Sequence, residues 1–146
     1  MELTGQCLCG AVRYSFVGDP QLVFLCHCRD CQQSGGSLAH FGVWVPEAGF
    51  SVTGKLQSFT KAGESGREVT REFCPTCGSG ICNRLEVAPG AVVIKGGTLD
   101  DPMAVPATFE LFARSKSLTP TAGAELRSFD AGLTCNPDEV AWSAPG

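Results

Sequence analysis

The stretch LTGQCLCGAVRYSFV, residues 3–17, decides how the fold reads. Val12, Tyr14 and Phe16 alternate with Arg13 and Ser15, the period-two pattern of a strand that buries one face. Residues 3–9 and 11–17 therefore predict two short strands joined at Gly10. A glycine directly after a cysteine suits a knuckle turn, because the left-handed conformation turns backbone N–H groups toward the sulfur. The same mark recurs in CPTCG, residues 74–78. The CxC of Cys7 and Cys9 and the CxxC of Cys74 and Cys77 supply two thiolates each, enough to close one tetrahedral site of four sulfurs. Such a site ties the start of the chain to residue 77, and its bound zinc contributes folding free energy on the order of 10 kcal/mol or more.

That sorting leaves CHCRDC, residues 26–31, with Cys26, Cys28 and Cys31. Zinc prefers four ligands, so these three thiols either recruit a distant fourth side chain or leave a position open to water or substrate. Cys82, Cys135 and His40 are the candidates for closing the trio, and an empty trio of reduced core thiols is a further reading. In an extended Cys-His-Cys step the His27 side chain leaves on the face opposite Cys26 and Cys28. His27 is therefore expected to pack beside the cluster rather than to close it.

Composition narrows the function classes. The chain has 146 residues, a length that fits one domain; residues 1–130 are expected to form it and 131–146 a C-terminal tail. A formal net charge of −4, with 11 Lys and Arg scattered along the chain, gives no electrostatic footprint for nucleic acid or an anionic membrane. MELTGQCLCG has neither a basic n-region nor an apolar h-region, and no apolar run approaches a membrane span, so a cytoplasmic location is expected. In a reducing compartment nine cysteines read as thiols and metal ligands rather than as a disulfide framework.

The rest of the chain reads as short strands and turns. QLVFLC delivers the trio from a strand end, the trio itself lies on a turn, and RDCQQSGGS forms one helical turn stopped by Gly35 and Gly36. SLAHFGVWV resumes alternation until Pro46. FSVT and LQSFT, separated by Gly54-Lys55, predict a hairpin, and KAGESGR a polar loop suited to a lid. EVTREF, SGICNRLEV, AVVIKGG and ATFELFAR supply the remaining strands. The expectation is a mainly β domain of antiparallel strands with little helix, stapled by metal.

Several motifs in matching order, GQCLCGAVRYSF, CHCRDCQQSGGS, REFCPTCGSGI and KGGTLDDP, resemble the glutathione-dependent formaldehyde-activating enzyme family, also called the GFA or CENP-V-like family. The resemblance covers roughly residues 5 to 115 and implies a β-tent fold. It also implies two zinc ions per chain, a structural one on Cys7, Cys9, Cys74 and Cys77 and a catalytic one on Cys26, Cys28 and Cys31. The implied activity is that of a carbon–sulfur lyase that combines formaldehyde with glutathione to give S-hydroxymethylglutathione. Its partner is then a small thiol or aldehyde adduct, with glutathione the family's thiol. Arg29, Arg67, Arg71, Arg84, Lys95, Arg114 and Lys116 are the cations available to glutathione's two carboxylates. Asp30, Ser34 and Ser37 lie beside the trio and suit turn capping. Asp100 and Asp101, before Pro102, suit turn formation. Two other function classes compete. Cys82 in GICNR resembles the solitary catalytic cysteine of methionine-R-sulfoxide reductases, and a zinc-stabilised module can serve binding alone.

Overall fold

The computed structural model describes residues 1–117; the expected tail, its boundary at residue 130 and Cys135 lie outside the described residues. In chain order the strands are β1 (Glu2–Gln6), β2 (Arg13–Val17), β3 (Leu22–Cys26), β4 (His40–Pro46), β5 (Phe50–Thr53), β6 (Gln57–Ala62), β7 (Glu68–Phe73), β8 (Gly80–Leu85), β9 (Ala91–Lys95) and β10 (Phe109–Leu111). One α-helix, α1 (Arg29–Gly35), lies between β3 and β4. The fold is mainly β, as the alternation predicts.

The opening stretch pairs with itself: β1 runs antiparallel to β2, with Leu3 opposite Phe16 and Gly5 opposite Tyr14. β5 joins the other side of β2, placing Val52 opposite Tyr14 and Phe50 opposite Phe16. These three strands form a small sheet, and the other seven form a large one in the order β10-β3-β4-β9-β8-β7-β6. The expected FSVT/LQSFT hairpin is therefore absent, since β5 and β6 belong to different sheets. The reason is burial. Phe50 and Val52 are covered only beside the Tyr14 and Phe16 side chains, whereas all six residues of β6 are exposed and pair instead with β7. Two further differences are local. Cys31 lies within α1 rather than on a turn. The last strand is only three residues long and runs parallel to β3, because Phe112 turns left-handed at φ 54° and a 3-10 turn, Ala113–Ser115, follows.

Residues opposite one another in neighbouring strands share a face of the sheet, and this sorts the large sheet into two surfaces. Val43 faces Ile94, Val45 faces Val92, and Cys82 faces Ile94; these side chains pack with Leu3, Tyr14 and Phe16 of the small sheet to form the main core. On the other surface stand Phe24, Trp44 and Val93, which gather with Leu85 around Cys26, Cys28 and Cys31 in a second cluster. Burying both faces makes β4 and β9 nearly continuous in apolar residues, and the second face positions the site.

Candidate metal centres and the adjoining cleft

The first cysteine group forms where the two sheets meet. Gly10 and Gly78 both adopt φ 76°, the left-handed turn expected after each pair. Backbone N–H groups then serve the sulfurs, as where Val12 N donates to Cys7 Sγ at 3.2 Å. Ser79 joins the two turns: its hydroxyl accepts from Leu8 N at 3.1 Å and lies 3.2 Å from Cys77 Sγ. That bond, the largest of several, lowers the Cys77 thiol to about 5. All four sulfurs lie within 4.8 Å of one another, with Cys7 to Cys9 at 3.5 Å and Cys9 to Cys74 at 3.9 Å. Tetrahedral zinc with Zn–S bonds of about 2.3 Å holds its sulfurs about 3.8 Å apart, so donor set and spacing both fit.

The trio is assembled by three kinds of local structure. Cys26 ends β3, Cys28 is the N-cap of α1, and Cys31 sits in its first turn. Cys28 Sγ accepts from Cys31 N at 3.3 Å, so a sulfur does the capping that Asp30 was expected to do. Asp30 instead pairs with Lys61. The three sulfurs lie within 4.8 Å of one another, and among the described residues no other His, Cys, Asp or Glu joins them. This group too can hold a metal ion. The proton is shared unevenly, for hydrogen bonding with Cys31 lowers the Cys26 thiol to about 6 against the effect of burial, and the same bond raises Cys31.

The residues expected to compete for the trio lie elsewhere. His27 is buried and its Nε2 lies 3.0 Å from Glu110 Oε1, so it packs against β10 as the extended geometry predicts. His40 stands opposite Cys26 in the β3–β4 ladder, yet it is outside the cluster. Burial, followed by the charges of Lys95 and Arg71, lowers its imidazole to about 3. Cys82 is fully buried in the main core and donates to Glu72 Oε2 at 3.0 Å. Burial and that carboxylate push its thiol well above the usual range, the opposite of what a redox nucleophile needs. Ser34 and Ser37 bond to backbone carbonyls at Cys31 and Ala39. Asp101 accepts from Met103 N within the expected turn, whereas Asp100 accepts from the Thr4 hydroxyl of β1.

The trio opens into a cleft of about 200 Å³. Its walls are mostly apolar, with Phe24, Trp44, Val69, Leu85 and Val93 from five strands, and the expected lid segment, Gly63 to Arg67, lines one side. Glu64 of that segment pairs with Arg114. Two contributors were not foreseen. Gln32, buried in α1, donates to the carbonyls of His27 and Ser115 and so ties the helix to the turn after β10. Asn83 is a polar residue placed inward on β8, within the strand sequence ICNRL.

The sequence profile of the glutathione-dependent formaldehyde-activating enzyme family matches residues 2–115. The chain belongs to that family. Both cysteine groups of this family member fall inside the matched region. No curated protein matches the chain significantly. Among solved structures, the crystal structure of a Rhodobacter sphaeroides protein is similar at 18% identity with a TM-score of 0.56, covering 73% of this chain and 98% of that one. At that identity the likeness concerns the fold. Among the described residues, no helix is long and apolar enough to cross a membrane.

Proposed function

We propose that this protein forms or cleaves a thiol–aldehyde adduct of the S-hydroxymethylglutathione type, as a carbon–sulfur lyase. In this reading Cys26, Cys28 and Cys31 hold a catalytic zinc, and Cys7, Cys9, Cys74 and Cys77 a structural one. One observation carries it: three clustered sulfurs, without a fourth side-chain ligand among the described residues, at the wall of a cleft. Family membership supplies the formaldehyde and glutathione chemistry.

Zinc with an open position supplies a place to hold a thiol as thiolate or to polarise an aldehyde oxygen. Cys26, Cys28 and Cys31, as three thiolates, would make such a zinc electron-rich and suited to a sulfur ligand rather than to hydroxide. In the synthetic direction the thiol sulfur bonds to the aldehyde carbon, the carbonyl π bond opens, and the thiol proton ends on the oxygen as R–S–CH2OH; cleavage reverses each change. The chain's own residues set the conditions. α1 and the end of β3 hold the three sulfurs together, while Phe24, Trp44 and Val93 keep water from competing for the aldehyde.

Metal analysis and turnover test this together. The wild-type protein is expected to contain two zinc ions per chain, and Cys28→Ser one, with its circular dichroism unchanged. Adduct formation from formaldehyde and glutathione is expected to fall by about 100-fold or more in the variant. Undiminished turnover in a folded Cys28→Ser protein would remove the trio from the mechanism.

A further inference from the structure

The cleft face of the large sheet holds polar side chains that the proposed chemistry at the trio does not use. His40 and Asn83 are only 7% and 5% exposed. His40 Nε2, Asn83 Oδ1 and Arg71 Nε are shut off from solvent and have no hydrogen-bond partner among the described residues. All three residues line the same cleft. The register sets Arg71 opposite Asn83, Asn83 opposite Val93 and Val93 opposite Trp44, while His40, four residues before Trp44 on β4, stands opposite Cys26 at the trio end of the same face. Paired residues share a face, so the polar groups border an apolar floor that begins at the trio.

The ion pairs sharpen the contrast. Lys61 is paired with Asp30, Arg67 with Glu86 and Arg114 with Glu64, but among the described residues no carboxylate pairs with Arg71. Lys95 is also without a carboxylate, but it lies within electrostatic reach of the three trio cysteines, which give it negative charge to answer. Among the described residues Arg71 is in no ion pair. A buried polar group without a partner costs stability, and three on one wall of one cleft indicate a ligand that supplies what they lack.

We propose that Arg71, with Asn83 and His40, binds a carboxylate of the substrate, so that the cleft takes a compact thiol or thiol adduct bearing a carboxylate on a short apolar chain. A guanidinium meets a carboxylate through two parallel N–H donors, and Nε is one of that fork. The Asn83 amide can turn either end to the ligand, and His40 offers its Nε2 from the trio end of the cleft. The cleft, at about 200 Å³, lies below the roughly 300–1,000 Å³ usual for drug-sized ligands, which sets the compactness. In this pose the sulfur of such a ligand lies toward the trio and its carboxylate toward Arg71, both of which line the cleft. The inference rests on the thiol chemistry proposed above.

Isothermal titration calorimetry of the zinc-loaded full-length protein with mercaptopropionate and with the uncharged mercaptopropanol tests it. Mercaptopropionate is expected to bind the wild type about tenfold more tightly than mercaptopropanol. Arg71→Met is expected to abolish that difference by weakening mercaptopropionate, and Arg71→Lys to restore part of it. Equal affinities in the wild type, or a preference that survives Arg71→Met, overturn the carboxylate site and leave the thiol chemistry standing. If neither thiol binds, both readings fall.

Discussion

Tyr14 is the clearest residue-scale consequence of the fold. It is the only tyrosine in the chain, is buried in the main core, and lies 2.9 Å from Thr98 Oγ1. Burial raises its phenol to about 12, against the hydrogen bond to Thr98 and helped by the charge of Asp100. The folded phenol thus keeps its proton to higher pH than an unfolded one near 10. Its contribution to stability is intact below about pH 10 and is lost as pH rises toward 12. With one tyrosine present, a near-ultraviolet tyrosinate titration reads this directly; a midpoint near 10 would contradict the buried setting. Gly5 sits across from the same ring. A Cβ there would lie 2.2 Å from Tyr14 Oη and 2.4 Å from the Thr98 carbonyl. Gly5→Ala is therefore expected to destabilise the protein by about 1–3 kcal/mol in denaturant unfolding, and an unchanged midpoint would show that the ring has more room than this packing allows. The alternation of Val12, Tyr14 and Phe16 marked Tyr14 as buried from sequence alone. That Gly5 must lack a side chain was not legible, because the obstacle is the Tyr14 ring, set opposite by the β1–β2 register, together with the Thr98 carbonyl far along the chain.

At the scale of elements, the two knuckles join the two sheets. Cys7 and Cys9 lie between β1 and β2 of the small sheet, and Cys74 and Cys77 between β7 and β8 of the large one. A metal on these four sulfurs staples one sheet to the other. Structural zinc of this kind contributes about 10 kcal/mol or more, comparable to the roughly 5–15 kcal/mol that separates folded from unfolded domains. Cys74→Ser is accordingly expected to abolish the cooperative thermal transition in circular dichroism, whereas Cys28→Ser keeps it. Equal stability of the two variants would mean that the four-cysteine group is not the staple. Both knuckles were legible because their ligands and glycines lie within a few residues of each other. The helical turn after the trio was legible for the same reason, from Gly35 and Gly36. The partner of β5 was not, since adjacency in sequence favoured β6 and only side-chain burial against β2 decided otherwise.

Over the whole molecule, the large sheet works with two faces. One face is covered by the small sheet and supplies the core; the other is left to gather the trio, the apolar wall of Phe24, Trp44 and Val93, and the unpaired groups of His40, Asn83 and Arg71. Strand order makes this possible, because β10-β3-β4-β9-β8-β7-β6 brings Cys26, His40, Val93, Asn83 and Arg71 onto successive strands from residue positions spread over half the chain. Among the seven cations weighed from sequence, Arg71 lies on the cleft wall without an ion pair among the described residues, while Arg67, Arg84, Arg114 and Lys116 are held in ion pairs.

By itself the sequence determined the mainly β class, the two knuckles, and the division of seven cysteines into a closed group of four and a remainder of three. Those features follow from spacing and alternation within a few residues, which act through local backbone geometry. Only the tertiary structure decided that His40 stands beside the trio without joining it, that Cys82 is buried against Glu72 instead of reaching it, and that Arg71 and Asn83 share its cleft. These depend on which strands pair and which face each side chain takes, and both are set by burial of residues distant in the chain.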